Sequence, residues 1–563
     1  MSNRKMVFIL SLLALLSSLF NVRFSQVEVK ASNGYRVHNI NSGLNYTTIQ
    51  GAMDAPQTLD GHTILVDAGI YFEHVIITKS ISLIGEERDT TIIDGSETGT
   101  TIRISKNNVN IINLTIRNAG RNWGPPPGYG YPDCCIIGRN VGHVHIENDT
   151  FTGAAVCVAF TDYSSFVNIS KNTVSDATYI GILAYGSHNI TIYHNLVFDY
   201  GSEGIHLDGG PTCCKIVNNS VKNGFAGISL EKPATAGNLI EGNHLIDNNS
   251  SIGLYGCGTN VFRENNMTSS QYNLLIWGYD PANFMQDIDD SNTVNNKILY
   301  YLTNRHNLLI DPSSYPNLGY IAIANCTNIV IRDFNITRNG DGILLARSTN
   351  CTLTNITLSN NRGPLIYGGL MFFESSNNTI VNSRICNNSY GVCLYYSDWN
   401  VFYHNSFIRN GRHVVSDFLS PFRNMSSGVF SANVWDNGAE GNYWSDYAGA
   451  DLDYDGIGNT AHIIDSHNQD NYPLMGMFYN FEVTVEGGKV YNVQVVSNSS
   501  VRDLTVLWWL FSPNQYLQPG QKLIQFFLAG VENTTGFCRV TIPRAVLNGT
   551  YIVLIDWTEV QSN

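Results

Sequence analysis

Three aspartates at alternate positions, Asp451, Asp453 and Asp455, run into Gly456-Ile457-Gly458-Asn459. Carboxylates at positions 1, 3 and 5, a backbone carbonyl at Ile457 and the amide of Asn459 form a hard-oxygen set that suits Ca2+. His462 replaces the bidentate glutamate at position 12, so the expectation is a structural Ca2+ loop unlike an EF-hand, the alternative being a solvated acidic turn. A second set, Tyr185, Asp208, Glu231, Tyr255 and Trp277, recurs at steps of 23, 23, 24 and 22 residues. Aligned in one outward column, its rings offer stacking faces for sugars, and its central carboxylates accept hydroxyl hydrogen bonds or hold a bridging cation. Asp208 and Glu231, with His206 beside them, are also the candidate catalytic acid pair. Neighbouring strands bring such groups near the ~5 Å separation of retaining glycosidases, where repulsion raises one pKa. The competing reading is an aromatic ladder buried under inserts, with carboxylates on a solvated face.

Softer chemistry has less support. Copper delivery needs clustered imidazole or sulfur ligands, whereas the histidines are scattered and only His143-x-His145 lie close together, so copper is disfavoured. The 11 cysteines are an odd number. Cys326 and Cys351 occupy the same Asn-Cys-Thr tripeptide 25 residues apart, about one repeat, which predicts stacked sulfurs as a strained disulfide or a reduced ladder. Cys134 and Cys135 precede Cys157 by 23 and 22 residues with the same two outcomes.

The elements that position these residues follow from one recurring pattern, apolar-x-apolar-x-x-Asn-x-apolar. Taking Asn148, Asn172, Asn195, Asn219, Asn243 and Asn265 as its register gives steps of 24, 23, 24, 24 and 22, and it resumes at Asn355, Asn382 and Asn405. A Gly-Ile-x-Leu column follows at Gly204, Gly227 and Gly342. Short β-branched strands at this period cannot each bury an apolar face alone, but stacked copies can, with Asn side chains bonding along the stack. Amphipathic 3.6-residue segments are absent. The pattern therefore predicts an all-β, right-handed parallel β-helix, with about twelve coils over 143–415. Alternation then turns Ile205 and Leu207 inward and His206 and Asp208 outward. Two inserts interrupt it, Gly120 to Pro132 and the acidic stretch within Asp280 to Leu318. Each reads as a functional loop or as cover for a sheet edge.

Composition bounds the class of partner. With 32 Lys+Arg against 46 Asp+Glu the net charge is −14, which excludes a general nucleic-acid binder. Arg4 and Lys5 precede the apolar run Val7 to Phe20, which at ~1.5 Å per residue falls short of a ~30 Å bilayer core. Residues 1–31 thus read as a secretory signal, with an uncleaved anchor as the alternative, and no later stretch is long and apolar enough to span a membrane. Asn-x-Ser/Thr sequons such as Asn113, Asn189 and Asn266 fit an exported glycoprotein.

The segment 46–95, YTTIQGAMDAPQTLDGHTILVDAGIYFEHVIITKSISLIGEERDTTIIDG, resembles the opening coils of pectinesterases and other pectin-lyase-like β-helix proteins. NTVNNKILYY (292–301), NVWDNGAEGNYWSDYAGADLDYDGIGNT (433–460) and YPLMG (472–476) resemble the secreted NosD-like proteins. The resemblance covers roughly residues 40–480. It implies the β-helix fold and carbohydrate binding or hydrolysis, or, as in NosD itself, a role in copper-site maturation. The nucleophile segment of pectinesterases, the Gly-His-Gly of polygalacturonases and the Asp-Pro-His-Asp of uronate epimerases are missing, so the shared start carries scaffold rather than chemistry.

Residues 477–563 lose the Asn period and alternate as short strands, which predicts a small C-terminal β-sandwich. The expected organisation is signal 1–31, β-helix with cap and inserts 32–432, a helix-end segment with the Asp-rich loop 433–476, and the sandwich. The expected function is a secreted or cell-surface β-helix protein that binds polysaccharide or a surface glycan. The alternatives are a polysaccharide-cleaving enzyme, a structural or adhesion protein, and NosD-like copper-site maturation.

Overall fold

The computed structural model describes residues 36–123, 132–363, 367–418, 429–485, 487–508, 522–530, 536–549, 552–556 and 558–560. The expected export signal and most of the Gly120–Pro132 insert lie outside them. A short helix, Ile49–Asp54, closes the first end of the stack: Thr48 caps it, and Ile49, Ala52 and Met53 are buried. Behind it, strands of 3–6 residues from Thr63–Val66 to Val261–Arg263 pair in parallel, each with the next coil. Alternation sets their faces, as in Gly142–Glu147, where Val144 and Ile146 are buried and His145 and Glu147 are half-buried. A second parallel sheet carries longer strands, Thr150–Thr161, Thr173–Tyr185, Leu196–Asp208 and Ser220–Glu231.

The asparagine ladder is present. The backbone N–H of Asn172 donates to Asn195 Oδ1, that of Asn195 to Asn219, of Asn219 to Asn243, and of Asn243 to Asn265, at 2.9–3.1 Å. Each Nδ2 also reaches the next Oδ1, so these four buried amides are paired along the axis. The first rung is Asp149, not Asn148. Asn148, Asn355 and Asn382 sit one residue before the ladder in the left-handed region, at φ 57°, 52° and 53°. Asparagine serves both places because it bonds backbone and tolerates positive φ.

One stack was expected, and the structure divides it. Thr293–Val294 and Lys297–Ile298 form an antiparallel hairpin across Asn295 and Asn296, both at positive φ as a two-residue turn requires. Parallel stacking then resumes from Lys297–Thr303 through Leu318–Ala324, Ile343–Ala346, Leu370–Phe373 and Tyr390–Tyr395. This second segment has its own interior, including Ile321, Ile323, Ile343, Leu345 and Phe372. The opposite face of the same strands, Tyr320, Ala322, Leu344, Met371 and Phe373, joins the core cluster of the first segment. Phe373 lies 4.4 Å from Phe284 between ring centroids, and Tyr301 Oη donates to the Phe284 carbonyl at 2.5 Å. The second segment thereby covers the end of the first.

Residues 433–476 finish the second core: Trp435 stacks on Phe402 at 4.2 Å and Trp444 on Phe407 at 4.3 Å. Beyond them, Met477–Thr484, Val490–Ser497 and Cys538–Thr541 form one antiparallel sheet, and Ser500–Trp508 pairs with Lys522–Ala529. Val483 and Val493 of the first sheet pack with Leu504, Val506 and Ile524 of the second, the contact of two small layered sheets. Among the described residues no helix is long and apolar enough to cross a membrane.

Candidate functional site

The expected column exists in the strand register. Tyr185 pairs with Asp208, Leu207 with Leu230, Glu231 with Tyr255, and Tyr255 with Trp277, so Asp208 and Glu231 are lateral neighbours. Ile205 and Leu207 are fully buried in the core, and Asp208 and Glu231 are half-buried on the outer face. Tyr185 is 43% exposed at one end of the column. At the other, Trp277 packs edge-on against Tyr395 of the second segment, with centroids 5.7 Å apart. Tyr255 lies back over Gly253, where an added Cβ would stand 2.5 Å from the ring, so glycine makes room for it.

A parallel column runs Leu183, His206, Ser229, Gly253 and Leu275, and a third contains Ile180, Glu203, Ala226, Ser250 and Tyr272. These bring Glu203 and His206 beside the carboxylate pair. His206 faces outward as expected, yet only 8% of it is exposed. Its Nε2 is 3.7 Å from Glu231 Oε1 and its Nδ1 is 3.9 Å from Glu203 Oε2. His206, Asp208 and Glu231 each offer an atom within 4.8 Å of the other two. Asp208 is engaged from both sides, by the Gly209 N–H at 2.5 Å and by Lys232 Nζ at 2.9 Å. Lys232 also stands 5.5 Å from the Tyr185 ring centroid, a cation–π distance. Burial holds the Glu231 carboxyl above its usual range against the pull of His206, with Asp208 and Glu203 adding repulsion. Burial and the same two glutamates push the Tyr255 hydroxyl up to about 12. Glu203 and Lys232 escaped sequence reasoning, although one immediately precedes Gly204-Ile205 and the other immediately follows Glu231.

The Asp-rich loop also assembles. Asp451, Asp453 and Asp455 each present an oxygen within 4.8 Å of the others. Asp451 accepts the backbone N–H groups of Asp455 and Gly456 at 3.2 and 2.8 Å, the Ile457 N–H donates to Asp455 at 2.8 Å, and Asn459 Nδ2 donates to Asp453 at 3.2 Å. Arg539 of the tail donates to the Asp455 carbonyl at 3.0 Å and pairs with Glu440 at 2.8 Å, which ties the loop to the C-terminal sheets. His462 stacks on Trp444 at 4.6 Å.

Of the other expected groupings, the reduced cysteine ladder forms at Cys135 and Cys157 and the rest come apart. Cys326 and Cys351 do not stack: the coil here is 22 residues, so Cys326 aligns with Ser348 and Cys351 with Ile329. The 25-residue spacing overshoots the coil by three. Cys134 aligns with Val156, which leaves Cys135 beside Cys157, both as buried free thiols. His143, at φ 57°, stacks on Phe166 and His145 bonds Glu147 at 2.8 Å, so the pair does not converge on one ion. The acidic stretch of the second insert is occupied internally, with Arg263 paired to Asp287 and Asp289 at 2.8 and 3.1 Å. It borders a cavity of about 630 Å3 that Tyr300, Arg305 and Tyr315 also line.

Comparison with known proteins follows the same division. A family model for the "right handed beta helix region" matches residues 67–221, and one for "periplasmic copper-binding protein (NosD)" matches 286–449. A cell surface glycoprotein of Methanothermus fervidus is 27% identical over 417 residues, 73% of this chain and 52% of that protein. The chain thus spans about half the length of that curated relative. Among solved structures, the catalytic unit of a GH87 α-1,3-glucanase from Streptomyces thermodiastaticus is 13% identical with a TM-score of 0.35, covering 70% of this chain and 67% of that one. The A-module of the mannuronan C-5 epimerase of Azotobacter vinelandii is 13% identical with a TM-score of 0.27, covering 70% of this chain and 98% of that one. Strand register, asparagine ladder and family matches define the chain as a right-handed β-helix repeat protein. His206 and Asp208 fall within the first matched region, whereas Glu231, Tyr255 and Trp277 lie between the two.

Proposed function

We propose that this is a surface-associated β-helix protein that binds polysaccharide along the Tyr185–Asp208–Glu231–Tyr255–Trp277 column. The observation that carries the reading is the unbroken register of aromatic–carboxylate–carboxylate–aromatic–aromatic across five coils, open to solvent at Tyr185. Ring faces stack on sugars and carboxylates accept their hydroxyls, and coils ~4.8 Å apart give successive contacts along an extended chain. The likeness to a cell surface glycoprotein supports a surface location. Affinity electrophoresis on a panel of neutral and anionic glycans tests it. Retention should fall at least fivefold for Tyr185→Ala on folded protein, and full retention by that variant overturns the column as the binding surface.

Cleavage is the second reading, favoured by the raised Glu231 pKa beside Asp208. Lys232 bound to Asp208 weighs against it, because a neutralised partner repels Glu231 less. Release of reducing sugar or of unsaturated product, lost in Glu231→Gln, would establish it. Neither retention nor turnover on the panel would leave a structural or adhesive role. The Asp451–Asn459 loop further supports a structural Ca2+ at the join with the tail, where converging oxygens meet the Arg539 contact.

A further inference from the structure

The outer face of a solvated sheet ordinarily hydrates its polar groups or pairs them. His206 is barely hydrated and makes only two long carboxylate contacts, with no hydrogen bond. Its side chain is only 11% exposed, and neither ring nitrogen has a hydrogen-bond partner. Its nitrogens are instead aimed at carboxylates on both sides, Glu231 at 3.7 Å and Glu203 at 3.9 Å, beyond hydrogen-bond reach. Buried imidazole nitrogens left open in this way are expensive, and a ligand that satisfies one explains the arrangement.

We infer that His206, Asp208 and Glu231 form a binding site for a divalent transition ion of the zinc class, with Glu203 beside it on the other edge of the imidazole. Three observations converge on it. The three side chains each supply a ligand atom within 4.8 Å of the others. Two zinc ligands at ~2.1 Å in tetrahedral positions stand roughly 3.4 Å apart, so the 3.7 Å between His206 and Glu231 closes by a few tenths of an ångström, within side-chain adjustment. The charge also favours a cation: three carboxylates, Glu203, Asp208 and Glu231, crowd the imidazole against the single ammonium of Lys232. One imidazole among carboxylates favours zinc-class ions over Ca2+, which takes oxygen alone. The site shares Asp208 and Glu231 with the proposed glycan column, and its test reads metal binding in the absence of glycan.

Lys232 supplies a sign that a merely structural cluster would not. Its ammonium lies 2.9 Å from Asp208 Oδ2 and competes with the ion for that oxygen. Full-length protein stripped with chelator should bind Zn2+ by calorimetry, and Co2+ should give the visible d–d bands of a low-coordinate nitrogen–oxygen site. His206→Gln and Glu231→Gln, each shown to be folded by its melting curve, should weaken Zn2+ at least tenfold. Lys232→Met should tighten it several-fold, and a hundredfold excess of Ca2+ should not displace it. The inference is overturned if Zn2+ binding is unchanged in both ligand variants, or if Ca2+ displaces Zn2+ at comparable concentration. Should His206→Gln fail to fold, Glu231→Gln and Lys232→Met still decide in opposite directions.

Discussion

The motif Glu203-Gly204-Ile205-His206-Leu207-Asp208 and the motif Asp341-Gly342-Ile343-Leu344-Leu345-Ala346 occupy the same place in the repeat, one in each segment of the solenoid. Their inward residues match: Ile205 and Leu207 line the first interior as Ile343 and Leu345 line the second. Their outward residues differ. His206 and Asp208 edge a half-open polar site, whereas Leu344 and Ala346 are fully buried against the end of the first segment. The carboxylates diverge in the same way. Asp341 is sealed in, one oxygen taking the Gly368 N–H at 3.1 Å and the other unpartnered, and burial pushes its pKa to about 8. A solenoid strand thus fixes what goes inward by period, while the outward positions record whether another part of the chain covers them.

Reciprocal substitution is the most severe way to break this comparison. Leu344→His buries a polar ring in an apolar cluster and removes a packed side chain, and should cost about 4 kcal/mol in denaturant unfolding. His206→Leu removes nitrogens that have no hydrogen-bond partner and should leave stability unchanged or raised. Equal costs would mean that the two outer faces are equivalent.

The next effect separates the carboxylates. Asp341 has a folded pKa above its unfolded value near ~3.9, so the folded state holds the extra proton and its stabilising contribution is complete below ~4. Stability should fall as pH rises from there towards 8, by about 1.4 kcal/mol per pH unit and so about 3 kcal/mol between pH 5 and 7. Asp341→Asn keeps an acceptor for Gly368 and should flatten that slope; an unaltered slope would move its origin elsewhere. Asp470, pushed to about 6 by burial, adds a smaller decline of the same sign that the variant leaves in place.

A third test concerns the join to the tail. If Ca2+ occupies the Asp451 loop, chelator and Asp453→Ala should each remove about 2 kcal/mol, and the two should not add. Unchanged melting in both would leave the loop as a solvated turn bridged by Arg539. The smallest stability effect belongs to the open column: Tyr185→Ala should stay within about 0.5 kcal/mol, since the ring is 43% exposed, while glycan retention falls. A large destabilisation would make Tyr185 a packing residue like Tyr395.

Much of this was legible from residue order alone. The ~23-residue period, β-branched strands and recurrent asparagines determined a stacked parallel solenoid, because short strands bury apolar faces only against copies of themselves. The same period placed Tyr185, Asp208, Glu231, Tyr255 and Trp277 in one column, since side chains alternate strictly along a strand and coils stack in register. Tertiary structure decided the rest. The hairpin at Asn295-Asn296 turns the stack, so coverage of Leu344, Met371 and Phe373 depends on a contact between residues far apart in sequence. The burial of His206, the reach of Lys232 to Asp208 and the approach of Glu203 arise from side chains on neighbouring coils, where a shift of one residue in coil length changes every partner. The three-residue mismatch that separates Cys326 from Cys351 shows that sensitivity directly: period specifies a fold that averages over many coils, but a site depends on the exact length of each one.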